Sequence, residues 1–112
     1  MPAMFSMVLF SDDKLTMHLN WFGMGALTII DAHGRKRRAH PIQKRYLQAV
    51  TRELQAIGVK ITPDDPVCRH ALGEIAHAIY DFPPGGLVWT TALNRSPRET
   101  ALAFFEEAKQ PG

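Results

Sequence analysis

Along the first third of the chain, side chains fall into two alternating sets, more cleanly hydrophobic and polar in the second segment than in the first. In MFSMVLF, Phe5, Met7 and Leu9 alternate with Ser6, Val8 and Phe10; in KLTMHLNW, Leu15, Met17, Leu19 and Trp21 alternate with Thr16, His18 and Asn20. A period of two belongs to a strand with one face buried. The connection SDDK is of hairpin length, and FGMG supplies two glycines for a tight reversal before a third strand, ALTIID. These segments predict a three-stranded antiparallel meander.

Neither period survives in AHGRKRRAHP. Pro41 biases His40 toward extended backbone, so the spacing predicts a helix from residue 41 or 42. Ile42, Tyr46, Leu47, Val50, Leu54 and Ile57 then recur on one helical side, and Gly58 stands where a C-terminal cap belongs. VKITPDD leads to a second helix with Asp65 as N-cap, Pro66 in its first turn and an apolar stripe of Cys68, Leu72, Ile75 and Ile79. FPPGG ends it. LVWTTAL has the β-branched and aromatic content of a fourth strand. SPRE is a capping box, with Ser96 as N-cap and Glu99 three residues on, opening a helix through about Lys109. The predicted order is β-β-β-α-α-β-α. It describes an α+β two-layer domain: an antiparallel sheet, formed by the N-terminal meander plus the later fourth strand, packed against about three helices.

A length of 112 residues suits one domain spanning 1–112, with a mobile basic loop at about 32–40 and a frayed C-terminus at about 109–112. The longest unbroken apolar run, ALAFF, is far short of the roughly 20 residues that cross a bilayer. The N-terminal stretch lacks the charged and apolar regions of a secretory signal, and Cys68 is the only cysteine. A cytoplasmic protein without membrane insertion is expected. No Gly-rich phosphate loop, GxSxG elbow, CxxC pair or acidic calcium loop occurs, so no cofactor is expected and the reading leans away from an enzyme.

Charge changes the picture more than composition does. Residues 32 to 52 hold seven of the thirteen bases and none of the eleven acids. Arg35, Lys36, Arg37 and Arg38 are consecutive, and Lys44, Arg45 and Arg52 follow on the first helix, with Arg45 and Arg52 seven apart and therefore on one face. Cations clustered in this way suit nucleic acid or another acidic partner, because each neutralised phosphate releases a counterion. The competing reading is a solvated loop and helix face. A helix-turn-helix is not invoked, since the connection, about Gly58 to Asp65, is longer than the three or four residues that motif uses.

A second constellation lies in HALGEIAHAIYD. His70, Glu74, His77 and Asp81 fall at i, i+4, i+7 and i+11, one helical stripe on which neighbours approach closely enough to chelate a divalent metal. It is not the HExxH pattern, and the competing reading is a polar face with His–Glu pairing. Cys68 would sit in a first turn, where a thiol is activated, but it also lies on the apolar stripe, where it packs as a small hydrophobe. Trp21, Phe22 and Met24 form an apolar hairpin tip that either folds over the core or meets a partner. The functional expectation is a binding or regulatory protein docking nucleic acid or an acidic partner through residues 35–52. The alternatives are a homo-oligomeric interaction module and a metal-dependent protein using His70, Glu74 and His77.

Overall fold

A computed structural model describes residues 6–20, 26–81 and 96–109. In chain order the elements are β1 (Ser6–Ser11), β2 (Leu15–Asn20), β3 (Ala26–Asp31), β4 (Lys36–Arg38), α1 (Pro41–Ala56), α2 (Pro66–Asp81) and α3 (Pro97–Lys109). The fold is α+β, with a four-stranded antiparallel sheet ordered β1-β2-β3-β4. The strand expected in LVWTTAL, the Trp21–Met24 tip and residues 110–112 lie outside the described residues.

The meander forms as its alternation predicts, with one displacement. Between Val8 and Phe10 the β1 register against β2 shifts, a bulge at Leu9. An extra residue turns every later side chain over. Phe10 therefore joins Met17 in the core; Met7, ahead of the bulge and opposite Leu19, is on the same face but exposed. The β1–β2 connection is closed by Asp12, whose Oδ1 accepts the amides of Lys14 at 2.8 Å and Leu15 at 2.9 Å. Such Asx turns are why Asp recurs at hairpin corners.

The fourth strand of the described sheet is an element that the sequence pattern conceals. Residues 36–38, within the stretch expected as a loop, pair with β3 in the register Thr28↔Arg38, Ile29↔Arg37 and Ile30↔Lys36. Asp31 builds the preceding turn: its Oδ1 accepts the amides of His33 and Arg35, both at 2.9 Å, and Gly34 takes a φ of 81°. A left-handed φ favours glycine at that corner.

Helix α1 begins at Pro41 with His40 as its cap in extended geometry. His40 Nδ1 accepts the Ile42 amide at 3.2 Å, and Gln43 Oε1 accepts the His40 amide at 2.8 Å. That reciprocal role holds Gln43 fully buried, while Ile42 and Ile57, expected on the apolar side, are exposed. Both sit at the helix ends, on the flank of the buried row Gln43, Leu47, Val50 and Leu54. Gly58 ends the helix with a φ of 92°. Asp65 caps α2 by accepting the amides of Val67 and Cys68, and Ser96 and Glu99 cap α3 reciprocally.

Helix α2 lies on the sheet and α1 packs with α3. Leu15, Met17, Leu27 and Ile29 from the sheet and Cys68, Leu72, Ile75 and Ile79 from α2 belong to one core cluster. Between α1 and α3, the hydroxyls of Tyr46 and Thr100 hydrogen-bond to each other. No helix among the described residues is long and apolar enough to cross a membrane.

Candidate functional site

Strand alternation divides the basic run. Arg37 shares the face of Ile29, which is fully buried, whereas Lys36 and Arg38 share the opposite face with Ile30 and Thr28. Adjacent cations on a strand therefore cannot form one continuous patch. Arg37 is only partly exposed, its guanidinium carbon 4.8 Å from the centre of the Tyr80 ring. Its Nη1 is buried and has no hydrogen-bond partner among the described residues. Tyr80 in turn donates its hydroxyl to Asp31 Oδ2. The Tyr80 hydroxyl, opposed by burial and helped by the Arg35 and His33 amides, holds the Asp31 carboxyl below the usual range, and the same bond pushes Tyr80 up. Asp31, Arg37 and Tyr80 thus tie the β3–β4 hairpin to α2.

Five cations remain outward. Arg35, Lys36, Arg38, Arg45 and Arg52 are exposed, and among the described residues none forms an ion pair. Lys44 is partly buried and already engaged by the fold. Lys36 and Arg38 stand on the edge strand, on a sheet face that also carries partly exposed Thr16, His18, Thr28 and Ile30 and exposed Val8 and Ser11. Arg45 and Arg52 stand on the polar side of α1, which starts three residues after β4 ends.

The histidine stripe of α2 divides as well. His70 Nε2 meets Glu107 Oε1 of α3 at 2.9 Å, its ring edge-on to Phe104. His77 Nε2 meets Asp12 Oδ2 at 2.8 Å in the β1–β2 turn. Two imidazoles expected to converge are held by carboxylates of different elements. Among the described residues no group of three His, Cys, Asp or Glu side chains is placed to hold a metal ion, and Glu74 and Asp81 point outward as exposed residues.

Around His77 the structure builds an open groove of about 430 Å³ between α2 and the end of β1. Phe10 forms part of its lining and lies against Gly73, where an added Cβ would stand 2.8 Å from the ring. Arg69 covers the same ring at 5.1 Å and donates from Nη2 to the Ser11 carbonyl at 2.9 Å. Burial raises the Asp12 carboxyl, but the His77 hydrogen bond, the Leu15 and Lys14 amides and the His77 charge together bring it down to about 2. Phe10, Asp12 and Arg69 are absent from the sequence-derived sites, since no local spacing links β1 to α2. Chemically this cluster is a clamp: Arg69, Gly73 and His77, four residues apart along α2, grip Ser11, Phe10 and Asp12 in turn. Cys68 is fully buried, and its thiol is pushed up by burial and by Asp65, against a backbone bond at Thr62, so the core reading holds.

Comparison with known protein families, curated proteins and solved structures gives no match to this chain.

Proposed function

We propose that this chain is a nucleic-acid-binding protein whose contact surface is the outward half of its basic segment. The supporting observation is that Arg35, Lys36, Arg38, Arg45 and Arg52 are exposed without ion pairs among the described residues, on β4, the turn before it and the helix after it. Unpaired guanidinium and ammonium groups on a fixed backbone keep their full attraction for phosphate, with no internal carboxylate to displace first. Arg37 serves the surface indirectly, by anchoring β4 to Tyr80. A soluble, cytoplasmic setting accompanies this reading, in keeping with a lone, buried thiol.

The test is a fluorescence titration of labelled single- and double-stranded oligonucleotides at low and moderate salt. Binding that weakens steeply with salt supports the proposal. Absence of binding at low salt overturns it, and Lys36 and Arg38 are then edge-strand charges that discourage sheet-to-sheet pairing. Capture of an acidic protein that persists after nuclease treatment would redirect the same cations to a protein partner.

A further inference from the structure

On the nucleic-acid reading of the basic segment, on which this inference rests, we propose that the ligand is single-stranded and crosses the open face of the sheet, its phosphates along the β4 edge and its bases toward β1. Helix α2 packs on the face of Met17 and Ile29. On the other face the strand register aligns two rows, Arg38, Thr28, His18 and Val8 in one and Lys36, Ile30, Thr16 and Ser11 in the other. Arg38, Lys36, Val8 and Ser11 at the margins are exposed, and the four residues between them are partly exposed. Solvent therefore reaches both rows from edge to edge.

Charge and shape identify the ligand. Neither row contains an acid, and both Lys36 and Arg38 stand at the β4 end. Phosphates belong at that margin; the hydroxyls of Thr28, Thr16 and Ser11 and the aliphatic side chains of Ile30 and Val8 suit sugars and the faces of bases. The Ser11 and Thr16 hydroxyls already hydrogen-bond each other at 2.9 Å, which fixes the β1 end of the second row. Four strands span about 14 Å from β1 to β4 at the usual spacing, before side chains are counted. The major groove of a duplex is about 12 Å wide, so this face cannot enter it to read base edges. A duplex touches only the outward cations, whereas unpaired bases lie across the rows.

Fluorescence titrations of labelled single-stranded and duplex forms of one oligonucleotide, at about 0.1 M salt, test this. Wild type should bind the single strand about tenfold more tightly than the duplex. Val8 and Met7 are neighbours on β1, 48% and 47% exposed, but their side chains leave opposite faces of the strand. Val8→Glu should weaken single-strand binding about tenfold and leave duplex binding within about twofold, because a charge about 14 Å from β4 lies beyond the screening length of about 10 Å. Met7→Glu adds the same charge to the other face and should leave both affinities unchanged. Thr28→Val removes one hydroxyl, keeps the branched shape and should weaken single-strand binding about threefold. Circular dichroism of each variant checks the fold, and Thr28→Val stays informative if Val8→Glu disturbs it. Failure to bind either form overturns the nucleic-acid reading and this inference together. Duplex bound as tightly as single strand, or Val8→Glu and Met7→Glu acting alike, overturns this inference and leaves that reading standing.

Discussion

His77 on α2 and Asp12 in the β1–β2 turn meet at 2.8 Å although 65 residues separate them in sequence. The carboxylate is fully used, one oxygen closing the turn and the other fixing the imidazole. Together with Arg69 on the Ser11 carbonyl, this pair fastens the edge strand β1 to the helix beneath it.

Acid should loosen that fastening. The Asp12 carboxyl is lower in the folded chain, at about 2 against 3.8, so it stabilises the fold above the higher value and that contribution fades as pH falls from about 4 toward 2. With solvent screening the loss is about 1 kcal/mol, or about 4 °C in Tm. Thermal melts of wild type and Asp12→Asn between pH 6 and pH 2 check this: the variant should start lower and lose less over this window.

Gly73→Ala tests the grip on Phe10. Alanine in a helix interior ordinarily gains about 1 kcal/mol over glycine. Here the new Cβ would stand 2.8 and 2.9 Å from two Phe10 ring carbons, in a ring already covered by Arg69. Overpacking of this kind costs about 1 to 3 kcal/mol, so the substitution should be net destabilising. In chemical denaturation, Phe10→Leu should be non-additive with it, the double variant losing less than the two singles combined.

Between α1 and α3, Tyr46→Phe should cost about 1 kcal/mol, because it removes a partner from the Thr100 hydroxyl, which is 2% exposed. Adding Thr100→Val should add little, since the two hydroxyls are then removed together. A double-mutant cycle by urea unfolding measures the coupling.

The cap of α1 is open to improvement. His40 accepts the Ile42 amide through Nδ1, and α1 has no acid in its first turn. Replacing His40 by Asp keeps the acceptor and adds a negative charge at the positive end of the helix, which should raise stability by about 0.5 to 1 kcal/mol. Thermal melts of wild type and variant at pH 7 check the gain.

Local chemistry made much of the fold legible. Asp65, Ser96 with Glu99, Gly58 and the Pro41 start act through hydrogen bonds and dihedral limits within a few residues, and each lies where the pattern places it. Strand β4 was not legible, because Lys36, Arg37 and Arg38 have no apolar alternation and become a strand only by pairing with β3. Gln43 reads as polar surface until its amide oxygen is seen capping α1. The sites suffered most: spacing on α2 aligns His70 and His77, but Glu107 and Asp12, which hold them, come from elements remote in sequence. Likewise, a run of four cations gives no sign that Arg37 turns inward onto Tyr80.

That inward turn permits the sharpest measurement: nucleic-acid affinity as a function of salt for wild type, Lys36→Glu/Arg38→Glu and Arg37→Ala, with melts run in parallel. The wild-type slope of log affinity against log salt on duplex should be roughly −2.7 to −4.5, for three to five phosphate contacts. The outward double variant should lose binding at an unchanged Tm, while Arg37→Ala should lower Tm and leave the slope nearly as it was. A wild type that does not bind at low salt, or equal effects of inward and outward substitutions on binding, would contradict the assignment.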